Sequence, residues 1–148
     1  MSSKCRAAAL KFLKIRPRSV KELEVRLKDK EYASGEIAEA VKYLMELRLL
    51  DDRAFTVGWI RYRLARPFGF QRIIRELKEK GVADAIINEA VARAKAEYPE
   101  EITAMALAKR KAERLAGTDA VKRKKRVMDF LLRRGFPMDI TYKAIKNI

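Results

Sequence analysis

The side chains of this chain that could do chemistry are mostly cations, because the usual catalytic residues are scarce. The 148-residue sequence contains no histidine and a single cysteine, Cys5. Without histidine the ordinary general base at neutral pH is missing, and Cys5 has the spacing of a small core residue rather than a nucleophile. A zinc site would need several Cys or His ligands, and no glycine-rich phosphate loop is present. The sequence therefore predicts no enzyme, no metal and no cofactor.

Two adjacent carboxylates, Asp51 and Asp52, are the residues from which a metal site could be imagined. Negative side chains are also favoured at the start of a helix, where they meet exposed backbone amides. We interpret the pair as helix-capping residues. A small Mg²⁺-dependent nuclease that uses them stays an alternative.

The basic residues are the stronger signal for function. The chain carries 35 lysines and arginines against 20 acidic residues, a formal net charge of +15, which favours contact with a polyanion or an acidic protein face. At about 100° per residue, Lys122, Arg126 and Arg133 fall on one face of a helix, whereas the opposite face contains Val127, Met128 and Leu131. The binding candidates in this segment are Lys122, Arg123, Lys125, Arg126, Arg133 and Arg134.

A second basic group contains aromatic residues. Arg61, Arg63 and Arg66 lie beside Trp59 and Tyr62, and aromatic rings interleaved with arginine can stack on nucleobases. The two rings also have the spacing of core residues, so we predict that they pack inside the fold.

A third basic group begins in a proline-containing loop. Arg16 and Arg18 lie in this loop, where exposed side chains can reach phosphates. Lys21 continues the stripe, and Arg72 and Arg75 are the corresponding candidates farther along the chain.

The elements that must position these cations are almost all helices. Leu27, Leu77 and Leu131 occupy equivalent places in amphipathic segments, about 50 and then about 54 residues apart. Self-similarity at a nearly fixed period indicates a duplicated supersecondary unit. Each unit has the pattern of three helices, and no alternating strand pattern is present. The predicted repeats are residues 1–50, 51–98 and 99–148.

Local signals predict the core and the ends of the helices. Ser19 and Glu22 have the spacing of a capping box, and Gly81 and Gly135 are placed to close helices, Gly81 with a left-handed cap. The other positions with core spacing are Cys5, Ala8, Ala9, Phe12, Leu13, Val20, Leu23, Leu27, Ile37, Val41, Leu44, Phe55, Phe70, Ile73, Leu77, Ile86, Ala90, Val91, Val127, Met128, Leu131, Ile140, Ala144 and Ile145. A lone cysteine fits a reducing cytosol, and cations interrupt the apolar runs of the N-terminal segment, so we expect a cytoplasmic protein without a membrane span.

Four motifs occur in order over residues 7–147. They are Arg16-Pro17-Arg18-Ser19 with Glu22-Leu23 and Leu27, Leu49-Leu50-Asp51-Asp52-Arg53 with Phe55, Gly69 with Ile73, Leu77, Lys80, Gly81 and Val82, and Phe130-Leu131 with Arg133-Arg134-Gly135-Phe136. Together they resemble the RecX family, the bacterial modulators of the RecA recombinase. Each motif alone is weakly specific, whereas four in order at compatible spacing are strongly so.

The resemblance implies an all-α protein of three tandem three-helix, helix-turn-helix-like repeats that form an elongated, curved array. Such proteins are not enzymes. They lie along the RecA–DNA filament and inhibit its recombinase, ATPase and coprotease activities. The expected partners are therefore the RecA filament and single- or double-stranded DNA within it.

Two stretches depart from the family pattern, Glu31-Tyr32 and the four residues from Thr56 to Trp59. Glu31 stands where relatives favour a glycine-ended turn, so we expect the first turn to close differently. Gly58 lies in the middle of a helix, where a close helix contact would explain it.

Other classes of protein remain open from the residues alone. The basic faces would suit a sequence-independent DNA-binding protein, and three-helix units would also suit a helix-turn-helix transcriptional protein. A ribosome- or RNA-associated protein is allowed by charge but has no motif in its favour.

Overall fold

The fold is all-α, as the sequence predicts. In the computed structural model, which describes residues 3–148, these residues form nine α-helices and no strand. The helices are α1 (Ser3–Ile15), α2 (Val20–Asp29), α3 (Ser34–Glu46), α4 (Asp52–Leu64), α5 (Phe70–Glu79), α6 (Asp84–Glu97), α7 (Glu100–Arg114), α8 (Ala120–Arg133) and α9 (Met138–Ile145). They follow one another as three triplets, α1–α3, α4–α6 and α7–α9.

Apolar periodicity explains why the first and third triplets pack as they do. In α1–α3 most of the predicted core positions are buried together with Ala40 and Leu50, while Ala8, Leu13 and Val20 pack against them half-buried. In α7–α9 the buried side chains of α8 are Val127 and Leu131. They pack with Phe136 and with the buried α7 residues Ala104, Leu107 and Ala108. Most core positions predicted from helical spacing are thus confirmed, whereas Ile86, Ala90, Met128, Ile140 and Ile145 are half-buried and Ile87 is buried in the place of Ile86.

By packing, the described chain divides into two compact units. The first unit contains residues 3–59 and Leu77–Ile87, and the second contains Ile60–Glu76 and Asn88–Ile148. The division passes through α4, α5 and α6, so the middle triplet contributes to both units. The repeat limits proposed above follow the sequence period and stay a prediction.

In the first unit, the N-terminal end of α2 meets the C-terminal turn of α5. The Ser19 hydroxyl donates a hydrogen bond of 2.6 Å to the Lys80 carbonyl, and the Val20 amide donates one of 2.8 Å to Asp52 Oδ1. Carbonyls at the end of a helix and amides at its start have no partner within their own helix. The junction therefore satisfies groups that both helices leave open.

In the second unit, the N-terminal end of α5 meets the turn after α8 in the same way. The Gly69 amide donates a hydrogen bond of 2.7 Å to the Arg134 carbonyl, and the Phe70 amide donates one of 2.6 Å to Glu100 Oε2. Gly69 lies so close to Gly135 that a Cβ on Gly69 would overlap the Gly135 carbonyl group. This junction repeats that of the first unit with a carboxylate of α7 in the place of Asp52.

The turn after α2 closes in the same conformation as its two counterparts, so the expectation of a different closure is wrong. Glu31 has φ of +66°, beside +79° at Gly81 and +93° at Gly135. The amide of the next residue, Tyr32, donates to the Leu27 carbonyl over 3.3 Å, as Val82 and Phe136 donate to the equivalent leucines. Six-to-one bonding of this kind is the Schellman motif, here formed without glycine.

Replacing Glu31 with glycine is expected to stabilise the protein by about 0.5–1 kcal/mol, because a residue with a Cβ is strained in the left-handed region. Urea unfolding followed by circular dichroism measures the change. Glu31→Ala is the control, since it removes the same carboxylate but keeps a Cβ. Equal stability of the glycine and alanine variants would show that Glu31 is not strained.

The expected close helix contact at Gly58 is wrong. A Cβ built on Gly58 meets nothing within 4 Å, and the residue is exposed on α4. The helix therefore has room for a larger residue there, and nothing in the described residues explains the glycine.

Candidate nucleic-acid and partner-binding surfaces

The carboxylates considered for a metal site instead accept backbone hydrogen bonds. Asp51 Oδ1 accepts the Arg53 amide over 2.8 Å, which makes Asp51 the cap of α4, while Asp52 serves the start of α2. The capping interpretation is thus confirmed. Across residues 3–148, no group of three or more His, Cys, Asp or Glu side chains is arranged to hold a metal ion. Burial raises the pKa of the Cys5 thiol, which favours a packing role over a nucleophilic one.

Arg16, in the basic group of the proline loop, is held by one carboxylate, Glu22 of the capping box. Glu22 accepts Arg16 Nη2 over 3.0 Å, Lys80 Nζ over 3.1 Å and the Ser19 amide over 3.1 Å. Burial alone would raise the pKa of Glu22, but these bonds lower it to about 2. Arg16 stays 43% exposed at its side chain, so it can still meet a ligand. Lys21 is exposed beside Gly81.

Arg18 is not an exposed loop residue, and that expectation is wrong. Its side chain is buried, with 8% exposure, and its Nε donates to the Phe12 carbonyl over 3.2 Å. The C-terminal carbonyls of α1 need donors from outside the helix, and Arg18 supplies one. Burial and the neighbouring Arg16 and Arg26 lower the pKa of Arg18.

Glu22→Gln is expected to lower the free energy of unfolding at pH 7 by about 1–2 kcal/mol, since hydrogen bonds to a charged group are stronger than neutral ones. A folded pKa of about 2 lies below the usual value, so this stabilisation is present above about pH 4.5 and is lost as pH falls toward 2. Urea unfolding at pH 7 and pH 3 measures the change. Glu24→Gln, at an exposed position of α2, is the control, and a difference between wild type and Glu22→Gln that does not depend on pH would refute the network.

The second basic group divides between exposed and paired side chains. Arg61 and Arg66 are exposed, whereas Arg63 donates to Glu76 through Nε and Nη2 over 2.8 and 2.5 Å. The packing prediction is wrong for Tyr62, which is 55% exposed.

Trp59 follows the packing prediction in part. It is half-buried, stacks on Phe55 at 6.2 Å between ring centroids and has Lys80 Nζ 4.3 Å from its ring. The ring is therefore part of the first unit's fold.

Three arginines that are far apart in the sequence meet at one aromatic ring in the second unit. The guanidinium carbons of Arg63, Arg72 and Arg134 lie 4.8, 4.5 and 4.9 Å from the centroid of Phe68. Glu76 pairs with Arg63 and lies 3.6 Å from Arg72 Nε. The Phe68 ring is thus surrounded by three guanidinium groups, and Glu76 is the carboxylate beside them. The cluster therefore has a positive net charge. Arg75 is exposed on the same helix as Arg72.

The basic group of residues 122–134 has the predicted orientation on α8. Lys122, Lys125, Arg126 and Arg133 are exposed, and Val127 and Leu131 on the opposite face are fully buried. Arg123 is half-buried and donates to the Thr118 carbonyl over 3.1 Å, while Arg134 donates to the Pro67 carbonyl over 3.2 Å.

Sequence reasoning missed the cations of α7. Arg110 and Arg114 are exposed one turn apart, with Lys111 half-buried between them. The signal for them is four cations within six residues at 109–114, which is a less dense run than the five consecutive cations at 122–126.

A membrane span is not found in this fold: over residues 3–148, every helix is too short or too polar to cross a bilayer.

The fold and its surfaces define a helical-repeat protein with clusters of cations and no metal cluster in the described residues. Three family models match in order: the first three-helix domain of RecX over residues 5–44, the second over 51–91 and the third over 100–145. The chain belongs to the RecX family.

Relatives and solved structures agree with this membership. The regulatory protein RecX of Pelodictyon phaeoclathratiforme is 34% identical over 139 residues, which are 93% of this chain and 84% of the relative. The regulatory protein RecX of Streptomyces coelicolor is 31% identical over 143 residues, 96% of this chain and 76% of the relative. The crystal structure of RecX from Lactobacillus salivarius superposes with a TM-score of 0.85 at 25% identity and covers 98% of this chain and 94% of that chain.

Proposed function

We propose that this protein binds the filament that a RecA recombinase forms on DNA and that it modulates, mostly by inhibition, the recombinase, ATPase and coprotease activities. Membership of a family of regulatory proteins is the observation that carries the proposal. In this account the protein acts in the cytoplasm as a binding partner and has no catalytic activity of its own.

The distribution of charge supports a target that contains nucleic acid. A net charge of +15 favours a polyanion, and the exposed cations of α8 have no acidic partner among the residues that the structure describes. Weak contacts from several repeats to one repeating partner add through effective concentration. The binding candidates that remain are the predicted cations other than Arg18.

The test is the rate of ATP hydrolysis by the cognate recombinase on single-stranded DNA during titration with this protein. The proposal predicts a falling rate as the protein approaches equimolar amounts. An unchanged rate at saturating protein would contradict it.

A DNA-binding protein without a recombinase partner is the second candidate, favoured by the exposed cations of α8. Its affinity for bare DNA would fall steeply with salt. Salt titrations with bare duplex, single strand and filament separate the two. Tighter binding to the filament supports the proposal, whereas tight, sequence-selective binding to bare duplex supports a transcriptional protein.

A further inference from the structure

A small basic pocket lies in the second unit beside α7 and α8. Its volume is about 190 Å³, and it is lined by Leu107, Arg110, Lys111, Arg114, Phe130 and Arg134. The α7 residues recur at intervals of three, one and three, so they share one face of that helix. The apolar residues of its lining are Pro67, Leu107 and Phe130.

The pocket holds four cations and no acidic side chain among its liners. None of the four forms an ion pair with an acidic residue in the range 3–148, unlike Arg63, which pairs with Glu76. Like charges in one concave site raise the local potential, so an anion placed there lowers the energy of all four. The charge of the pocket therefore favours a negatively charged ligand.

Two of the cations are held in position before any ligand arrives. Arg134 is fixed by its hydrogen bond to the Pro67 carbonyl and lies 5.0 Å from the Phe130 ring. Lys111 Nζ lies 5.2 Å from the same ring. Preorganised donors lose less entropy on binding, while Arg110 and Arg114 remain exposed and can close on the ligand.

Size and chemistry favour a phosphate group. The volume is below the roughly 300–1,000 Å³ of a drug-sized ligand site, and guanidinium forks match phosphate oxygens in pairs. On α8, Arg126 and Arg123 precede Phe130 by four and seven residues, a spacing that places them on the same side of the helix. Because Arg123 and Arg126 extend the row of cations beyond the pocket, the surface suits a polymer with one negative charge per nucleotide better than a single carboxylate.

We propose that this pocket binds one phosphate of a DNA backbone, with the sugar against Leu107 and Phe130. This proposal rests on the proposed function in one respect: the DNA strand would be the one inside the RecA filament. The pocket would position the DNA strand without recognising its bases, because phosphate contacts carry no sequence information.

The test compares Arg110→Gln/Arg114→Gln with the control Lys109→Gln/Lys146→Gln, which removes the same charge at exposed positions outside the pocket. Binding of a fluorescent single-stranded oligonucleotide is measured by anisotropy across salt concentrations, with far-UV circular dichroism to verify the fold. The pocket variant is expected to bind about 10-fold more weakly and to reduce the salt slope by about 1, whereas the control keeps nearly the wild-type slope.

Equal slopes for the pocket variant and the control would overturn the phosphate site, as would a wild-type protein that does not bind the oligonucleotide. An oligo-glutamate peptide is the second probe, and loss of peptide binding with unchanged DNA binding would reassign the pocket to an acidic protein segment. The recombinase assay is separate: a pocket that binds DNA in a protein without effect on ATP hydrolysis would overturn the proposed function alone.

Discussion

Replacing Gly135 with alanine is expected to lower the free energy of unfolding by about 2–5 kcal/mol. The residue has φ of +93°, where a Cβ costs about 1–2 kcal/mol. The new methyl group would also lie 2.6 Å from the backbone nitrogen of Arg72, and overpacking against a rigid neighbour costs about 1–3 kcal/mol more. Urea unfolding followed by circular dichroism measures the sum.

Two other glycines provide controls for this prediction. A Cβ on Gly117 meets nothing within 4 Å, so Gly117→Ala should change stability little. The three atoms nearest to a Cβ on Gly81 all belong to the Lys21 side chain, although the φ of Gly81 is also positive. An intermediate loss is expected, because that side chain can move. If Gly135→Ala were as stable as Gly117→Ala, the junction between α5 and α8 would not be as close as described.

The second large effect is expected from charge reversal on α8. Lys122→Glu, Arg126→Glu and Arg133→Glu together should weaken binding to single-stranded DNA or to the filament by about 100-fold at low salt, because each lost phosphate contact also loses its released counterion. The three side chains are exposed, so helicity should be unchanged. Anisotropy with labelled DNA measures the affinity, and circular dichroism measures the helicity.

A matched triple variant keeps this prediction specific. Lys11→Glu, Lys14→Glu and Lys42→Glu make the same change of charge at exposed positions of α1 and α3. This control should lose much less affinity, since only the general field of the protein is altered. Wild-type binding by the α8 variant at physiological salt would show that these cations are only a solvated face.

Sequence reasoning succeeded where the signal is local and periodic. Helical spacing gave Leu23, Leu27, Val127 and Leu131 as core residues, and all four are fully buried. The Ser19 capping box also formed as its spacing predicts. Such features depend on residues within one or two turns of each other, so the chain alone contains the information.

Sequence reasoning failed where a side chain is satisfied by a partner that helical periodicity does not place beside it. Arg18 turns inward because the end of α1 offers the Phe12 carbonyl, which the loop sequence does not reveal. Arg63, Arg72 and Arg134 belong to three separate basic groups in the sequence, yet they share the Phe68 ring. Glu31 shows the converse: the left-handed turn persists without the glycine that usually marks it.

Assembly of the recombinase filament is the step at which regulation of RecA by this protein should be visible. Filament growth on a long single strand is followed by light scattering with and without this protein, and with the α8 charge-reversal variant. We expect slower or shorter net growth of the filament with the wild-type protein, and a much smaller effect with the variant. Filament growth that is identical with and without the wild-type protein, at equimolar amounts and physiological salt, would contradict it.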